Sequence, residues 1–308
     1  MKDDFTGIAR LDRKEINEIL RLALHFKTKL RRREDHSYLK DKILAMVFEK
    51  PSLRTRVTFE CGMLQLGGHA LYLAPSDIGL GERESVPDVA RNLSRWVDGI
   101  MARTFSHSTV LELAEHSSVP VLNGLSDLEH PCQAIADFQT ICEMKAAGTT
   151  RLAGLKLAYI GDGNNVCNSL LIASALLEVN MSVGCPEGYE PPDQILNIAR
   201  EKATKSRFEV MNDPAAAVLD ADVVYTDAWT SMGQEDEREK RLSIFRDFQV
   251  TKTLMGSAKK DAVFMHCMPA HRGEEVASEV IDGPQSVVFD QAENRLHAQK
   301  AIMVELMR

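Results

Sequence analysis

Short apolar runs of strand length alternate with helical patterns along the chain, and the alternation begins again near Thr149. Before that point the runs cover residues 43–48, 70–74, 99–105 and 119–122. After it they cover residues 155–160, 181–185, 208–211, 223–226, 263–267 and 287–289. Strands that alternate with helices form parallel sheets with helices on both faces. The sequence therefore predicts an α/β protein with two domains of similar size.

Helix signals define some of the elements between these runs. Asp12 and Glu15, three positions apart, have the pattern of a helix start with an acidic cap. A second helical pattern begins near Thr55, and the helix around residues 134–145 is predicted to link the two domains. The last segment, residues 292–308, is also predicted to be helical, and periodicity alone does not say which domain it joins.

The composition argues against several classes of protein. No apolar run approaches the ~20 residues of a membrane-spanning helix, and the first residues lack the layout of a signal peptide. The formal charge of −8 at pH 7 argues against general nucleic-acid binding. The six cysteines form no CxxC pair and do not cluster with histidines at zinc spacing. We therefore expect a cytoplasmic protein with free thiols that binds no metal, membrane or nucleic acid.

Ligands of open α/β sheets bind at the carboxyl ends of the strands, so polar segments after the predicted strands are the candidate site. One of them, residues 50–56, also opens a helix, where free backbone N–H groups and the helix dipole attract anions. Ser52 and Thr55 add hydroxyl donors there, and Arg54 adds a planar fork that fits phosphate oxygens. The alternative is a serine cap beside two surface arginines.

Other strand ends carry groups with two possible roles. Arg103 and His130 are either structural or surface residues, or donors to a ligand. Asp227 either belongs to a capped loop around a buried tryptophan or faces the ammonium group of an amino acid. Cys267 is either a buried structural cysteine or a thiol nucleophile.

The turn at residues 161–166 suggests a different class of enzyme. It lies between a strand and a helix, and Glu187 near the next strand end could bind a ribose, so a dinucleotide-dependent oxidoreductase is a rival. However, Val166 replaces the third glycine of that fingerprint. Asn164 and Asn165 also place amides where bare backbone should approach a pyrophosphate. Tight binding of nicotinamide would distinguish this rival.

Six runs resemble the motifs of aspartate and ornithine carbamoyltransferases, in order and spacing, over essentially the whole chain. They are Phe-Glu-Lys-Pro-Ser-Leu-Arg-Thr-Arg at 48–56, His-Pro-Cys-Gln at 130–133, Gly-Asp-Gly-Asn-Asn at 161–165, Asp-Ala-Trp-Thr-Ser-Met-Gly-Gln at 227–234, His-Cys-Met-Pro at 266–269 and Glu-Asn-Arg at 293–295. The fourth run is the most specific and resembles the ornithine-using branch. Leu53 stands where the family usually has threonine, and Met268 where it has leucine. Gly79 stands where relatives supply a side chain to a neighbouring subunit's active site.

The resemblance implies a role for individual residues. The residues implied to bind carbamoyl phosphate are Ser52, Leu53, Arg54, Thr55, Arg103, His130, Gln133, Cys267, Met268 and Arg295. The residues implied to bind ornithine are Asn165, Asp227, Ser231 and Met232. Among these, Arg103, His130 and Cys267 are the implied catalytic residues. Arg103 and His130 donate to the carbamoyl oxygen, where negative charge builds during attack, and Cys267 accepts or orients the proton of the amine.

The same resemblance implies an architecture and a reaction. Residues 1–137 form a carbamoyl phosphate-binding domain, residues 138–291 form an ornithine-binding domain, and the helix at about 292–308 packs back on the first. The active site lies in the cleft between the domains of a homotrimer that needs no cofactor or metal. The carbamoyl group passes to the side-chain amine of L-ornithine, giving L-citrulline and phosphate. The reaction serves arginine biosynthesis or runs in the reverse, degradative direction.

Two alternatives to this function lie outside the ornithine-using branch. A carbamoyltransferase for another amine, such as putrescine or an acylated ornithine, is disfavoured by the Ser-Met-Gly run at residues 231–233. A non-catalytic interaction protein on the same fold would have lost chemical groups from the motifs. Arg54, His130, Asp227 and Cys267 are all present, which disfavours that alternative.

Overall fold

The computed structural model describes residues 4–81, 83–230 and 235–308, except for the side chain of Glu235. The chain divides into two compact units, each of which contains a parallel sheet flanked by helices. The first unit comprises Met1–Gln139 and Glu293–Arg308, and the second comprises Thr140–Ala292. The predicted α/β class with two parallel sheets is confirmed. The placement of an active site between the domains stays a prediction.

The first unit has a four-stranded parallel sheet in the order β2-β1-β3-β4. Its strands are β1 (Ile43–Phe48), β2 (His69–Leu73), β3 (Gly99–Arg103) and β4 (Val121–Leu125). Its helices are α1 (Arg13–Arg31), α2 (Leu53–Gln65), α3 (Pro75–Ile78), α4 (Val86–Leu93) and α5 (His107–His116). The central strands β1 and β3 are almost entirely buried, as parallel strands covered on both faces must be.

The predicted start of α1 is confirmed in atomic detail. The Oδ1 atom of Asp12 accepts the N–H of Glu15 at 2.8 Å, and the Glu15 carboxylate accepts the N–H of Asp12 at 2.9 Å. This capping box satisfies two backbone donors that the first helical turn leaves open.

Along the sequence, both boundaries between the two units fall inside a long helix. Helix α6 (Pro131–Lys145) contains the boundary between Gln139 and Thr140, and α13 (Val288–Met307) contains the boundary between Ala292 and Glu293. Within the first unit, α13 packs closely on α2, because a Cβ atom at Gly62 would lie 2.9 Å from the Cε atom of Met303.

The second unit has a five-stranded parallel sheet in the order β7-β6-β5-β8-β9. Its strands are β5 (Lys156–Ile160), β6 (Asn180–Gly184), β7 (Phe208–Met211), β8 (Val223–Thr226) and β9 (Val263–His266). Its remaining helices are α7 (Asn165–Leu176), α8 (Asp193–Lys202), α9 (Pro214–Val218), α10 (Arg238–Ile244), α11 (Lys252–Met255) and α12 (Ser278–Ile281). In both sheets the strand order reverses beside the first strand of the unit, which is where ligands of such sheets bind.

The strand predicted at residues 287–289 is wrong. Val287 donates its N–H to the carbonyl of Phe264 at 3.0 Å, but its own carbonyl accepts the N–H of Gln291 at 2.9 Å. The second bond closes the first turn of α13, so only an isolated bridge at Ser286 joins the sheet. The apolar pair Val287 and Val288 is buried at the start of a helix. In a sequence, a short apolar run of this kind fits a buried strand and a buried helix start equally well.

Across the described ranges, no helix combines the length and the apolar character that crossing a membrane requires.

Candidate active site

The start of α2, in the first unit, has the backbone and side-chain donors that can bind an anion. The Oγ atom of Ser52 accepts the N–H of Thr55 at 3.3 Å and donates to its Oγ1 atom at 3.1 Å, so Ser52 caps the helix. The backbone N–H groups of Leu53 and Arg54 have no partner inside a helix that starts there. Leu53 is 75% exposed, which means that its side chain contributes nothing to this cap. Leucine at position 53 can therefore replace the family's usual threonine if this position contributes only its backbone N–H.

Arg295, on α13, contacts the start of α2. Its Nη2 atom donates to the Oγ1 atom of Thr55 at 2.9 Å, and its Nη1 atom donates to the Oε1 atom of Gln133. Gln133 donates in turn from Nε2 to the Oδ1 atom of Asp137 at 2.7 Å. Thr55, Gln133 and Arg295 are each at most 3% exposed. Three residues predicted from separate motifs thus meet in the first unit.

His130 is buried in a strongly positive environment. Burial lowers the pKa of its imidazole well below the ordinary value, and the charges of Arg295, Arg103, Lys50 and Arg54 lower it further. His130 is therefore neutral at physiological pH and has one N–H to donate. The same positive charges that disfavour an imidazolium favour a bound anion.

Lys50 and Glu49 also contribute to this environment, although the sequence motif gave neither of them a role. The Nζ atom of Lys50 lies 4.9 Å from the ring centroid of Phe105, and burial, followed by the charge of Arg103, lowers the pKa of Lys50. Glu49 donates its N–H to the carbonyl of Arg103 at 2.9 Å and accepts the N–H of Phe105 at 2.6 Å. Glu49 thereby ties the ends of β1 and β3 together, which fixes Arg103 beside the start of α2.

In the second unit, Asn164 connects the turn after β5 to the end of β8. Its Oδ1 atom accepts the N–H groups of Val166 at 3.0 Å and Cys167 at 3.2 Å, which caps α7. Its Nδ2 atom donates to the Oδ2 atom of Asp227 at 2.8 Å. Asn165, the residue predicted to bind ornithine, is the partly exposed first residue of α7. The alignment of Asp227 by Asn164 was not predicted.

Gly163, in this turn, is required for close packing within the chain itself. Gly163 donates its N–H to the carbonyl of Tyr189 at 2.9 Å. A Cβ atom at Gly163 would lie 2.3 Å from the N atom of Pro191. The close approach that glycine permits here is therefore to the chain's own backbone. In a dinucleotide site, the glycines would instead let a pyrophosphate approach.

Cys267 and Asp227 are in direct contact at the ends of β9 and β8. The Sγ atom of Cys267 donates to the Oδ1 atom of Asp227 at 2.9 Å, and this thiol is partly exposed. By contrast, burial raises the pKa of Cys132 and of Cys142 to about 12, which makes those thiols unreactive. A neighbouring carboxylate opposes formation of the thiolate that a nucleophile needs. The geometry favours Cys267 as a group that orients or exchanges a proton.

The loop after Cys267 is held by a buried pair, His266 and Glu275. The Nδ1 atom of His266 accepts the N–H of Met268 at 2.9 Å, and its Nε2 atom donates to the Oε1 atom of Glu275 at 3.1 Å. Burial alone would raise the pKa of Glu275, but hydrogen bonds from His266 and from the N–H of His271 lower it overall. Glu275 was not predicted. It lies nine positions beyond His266, and no local pattern marks that distance.

Among the described residues, two clusters have the donor types of a metal site. The first is Asp227, His266 and Cys267, and the second is His271, Glu274 and Glu275. In the first cluster both ring nitrogens of His266 are already engaged, by the N–H of Met268 and by Glu275, so the imidazole is not available as a ligand.

Ser231 and Met232, which were predicted to bind ornithine, lie outside the described residues.

Residues 3–143 match the family model of the carbamoyl-P binding domain of aspartate/ornithine carbamoyltransferase. Residues 153–306 match the model of the Asp/Orn binding domain of the same family. The chain belongs to the aspartate/ornithine carbamoyltransferase family. The resemblance found in the sequence motifs is thereby confirmed.

Relatives of this carbamoyltransferase chain are similar over nearly their whole length. The ornithine carbamoyltransferase of Thermococcus kodakarensis is 55% identical, over 96% of this chain and 93% of the relative. The solved structure of the ornithine carbamoyltransferase of Pyrococcus furiosus has a TM-score of 0.95 and 52% identity, and covers 99% of this chain and 96% of its own. An acetylornithine transcarbamylase complexed with acetylcitrulline has a TM-score of 0.89 and 30% identity, with 99% of each chain covered.

Proposed function

We propose that the protein is an ornithine carbamoyltransferase, which transfers the carbamoyl group of carbamoyl phosphate to the side-chain amine of L-ornithine and releases L-citrulline and phosphate. The contact between Cys267 and Asp227, aligned by Asn164, carries this proposal, because it places a carboxylate and a thiol where an amine can be held. Relatives above 50% identity that are named ornithine carbamoyltransferases support ornithine as the acceptor.

The first unit supplies the groups that carbamoyl phosphate requires. Phosphate oxygens bind at the start of α2, where Ser52, Leu53 and Arg54 offer N–H and guanidinium donors. Arg103, Thr55 and neutral His130 donate to the carbonyl oxygen, on which charge develops in the transition state. The Oε1 atom of Gln133, which accepts from Arg295, also has a lone pair for the carbamoyl nitrogen.

The second unit supplies the groups that the acceptor requires. Asp227 attracts the ammonium of ornithine, and Cys267 takes part in removing or orienting its proton. Asn165, Ser231 and Met232 bind the rest of the amino acid, while Cys267 and Met268 also contact carbamoyl phosphate. The neutral amine attacks the carbonyl carbon, and the tetrahedral intermediate then expels phosphate. Holding the two substrates in line contributes much of the rate enhancement.

We also propose that the protein is a cytoplasmic homotrimer. Helix α2 presents Leu53, Val57 and Leu64 to solvent, with 75%, 44% and 64% of their surface exposed. Leu71 on the neighbouring edge strand β2 is 50% exposed. Apolar surface of this extent beside an open sheet edge supports contact with another copy of the chain. One relative, from Pyrococcus furiosus, is named anabolic, which supports a role in arginine biosynthesis.

The substrate assignment is tested by measuring carbamoylated product with each candidate amine. We expect citrulline from carbamoyl phosphate and L-ornithine, with kcat/KM for putrescine, aspartate and N-acetylornithine lower by about a hundredfold or more, because each lacks groups that the site pairs. Equal turnover of putrescine or N-acetylornithine would contradict the proposal. Absence of product with every amine would contradict the whole reaction.

Asp227 is expected to act on ornithine alone. In Asp227→Asn, the bonds from Asn164 and Cys267 lose a charged acceptor, and the affinity for an ornithine analogue should fall by about tenfold or more. Titration calorimetry with carbamoyl phosphate analogues should give an almost unchanged dissociation constant. Equal weakening of both ligands would instead make Asp227 a purely structural residue.

A further inference from the structure

Arg241, on α10, is a buried cation that lies outside every motif described above. Its Nη1 atom donates to the Oδ2 atom of Asp162 at 2.8 Å and to the carbonyl of Trp229 at 2.9 Å. Its Nε atom donates to the Oε2 atom of Glu237 at 3.2 Å. Only 6% of Arg241 is exposed. Burying a guanidinium is costly unless its donors are satisfied, so this position is highly specified.

The partners of Arg241 come from segments that follow three different strands. Asp162 follows β5 and Trp229 follows β8. The guanidinium also lies 5.0 Å from the ring centroid of Tyr189, which follows β6. The ring of Phe245, just after α10, stacks on Trp229 at 5.8 Å and meets Tyr189 edge-on at 4.8 Å. Three strand ends of the second unit are therefore fastened to α10.

Two of these segments carry the groups assigned to the acceptor amine. The segment with Asp162 continues into Asn164, and the segment with Trp229 begins at Asp227. Asn164 and Asp227 are themselves joined by a 2.8 Å hydrogen bond. The guanidinium of Arg241 is thus a second bridge between the same two segments, and its charge also offsets that of the Asp162 carboxylate beside Asp227.

We propose that Arg241 is a positioning residue for ornithine. It acts by holding the turn after β5 and the loop after β8 in the one arrangement in which Asn164 and Asp227 align the acceptor amine. This inference rests on the proposed function, because it assigns ornithine to those two segments. Arg241 makes no contribution to the binding of carbamoyl phosphate, because the donors proposed for its phosphate and carbonyl groups lie in the first unit.

The test is steady-state kinetics of Arg241→Gln and Arg241→Lys, with each substrate varied in turn. We expect Arg241→Gln to raise KM for ornithine by about tenfold to a hundredfold, as loss of substrate alignment does. Its KM for carbamoyl phosphate should stay within about twofold of the wild-type value. Arg241→Lys keeps the charge but lacks the planar fork, so its KM for ornithine should be raised to a smaller extent.

Glu237→Gln is the matched control. The carboxylate of Glu237 is 55% exposed and bonds Arg241 from the adjacent turn, so its loss leaves both bridging bonds intact. KM for ornithine in Glu237→Gln should stay within about twofold of wild type. A purely structural role of Arg241 would lower the active fraction, and hence kcat, without changing KM for ornithine. Thermal unfolding of the same preparations would reveal such a loss of folded protein.

Two results would overturn the inference. One is a KM for ornithine in Arg241→Gln that stays close to wild type, and the other is an equal rise of KM for both substrates. If Arg241→Gln does not fold, Arg241→Lys decides by the same criteria. Failure of the proposed function is distinguishable, because the wild-type protein itself would then form no citrulline.

Discussion

Arg54→Ala is expected to lower kcat/KM for carbamoyl phosphate by about a hundredfold or more while the fold stays intact. The guanidinium lies at the start of α2, and among the described residues no carboxylate comes within ion-pair distance of it. Its planar fork is therefore available for phosphate oxygens. Loss of a charge-assisted, bidentate contact that strengthens in the transition state costs about 2–4 kcal/mol.

The measurement is initial-rate kinetics with carbamoyl phosphate varied and ornithine saturating. Arg21→Ala is a suitable control, since Arg21 lies on the exposed face of α1 and donates to the carbonyl of Asn17 on the same helix, at 3.1 Å. The control should leave kcat/KM almost unchanged. An Arg54→Ala enzyme within about threefold of wild type would remove Arg54 from the proposed site.

The rate with ornithine is expected to climb steeply with pH, by close to tenfold per unit between about pH 7 and 9. The nucleophile must be an uncharged amine, because an ammonium has no lone pair. A side-chain amine like that of lysine has a pKa of about 10.4, so roughly one molecule in 2,500 is neutral at pH 7. A carboxylate such as that of Asp227 favours the charged ammonium over the neutral amine, so its presence in the proposed site does not remove this proton cost.

The first unit should not produce the same pH dependence. The lowered pKa of His130 keeps its imidazole neutral from pH 7 upward, so its hydrogen bonding does not change over this range. The arginines stay charged. The lowered pKa of Lys50 means that its positive charge is lost at a lower pH than in an ordinary lysine, so affinity for carbamoyl phosphate should decline only towards the alkaline end.

Paired pH profiles of kcat/KM, one for each substrate with the other saturating, measure this difference. A steep rise for ornithine beside a nearly level or falling profile for carbamoyl phosphate is the expected pattern. A level ornithine profile between pH 7 and 9 would show that removal of the proton does not limit the reaction. The account of a neutral amine captured from solution would then have to be abandoned.

The strand ends that carry the candidate site could be predicted from the sequence, because each is marked locally by an apolar run followed by polar residues. Thr55 and Gln133 belong to such segments, whereas Arg295 lies inside α13 and was expected only from the family resemblance. The prediction of a strand at residues 287–289 was wrong, because the local pattern there also fits a buried helix start.

The residues that hold these segments in place could not be predicted in the same way. Arg241 pairs with Asp162 across 79 positions, and Glu49 reaches Phe105 across 56. Neither pairing leaves a periodic or compositional trace, since an arginine or glutamate on a short helix or at a strand end usually faces solvent. Such contacts follow from the topology of the sheets, which brings distant strand ends to one edge.

The contribution of Arg295 to the first unit has a consequence for how the chain is made. Arg295 lies 162 positions after Gln133 and 240 after Thr55. During synthesis, the first sheet and the start of α2 leave the ribosome long before α13 does. The nascent first unit therefore lacks both the helix that covers Gly62 and the guanidinium that joins Thr55 to Gln133. Contacts of such high sequence separation slow folding, and they leave apolar surface open to chaperones and to aggregation until the last turns are synthesised. The proposed phosphate site is thus incomplete until α13 has been synthesised and has packed on the first unit.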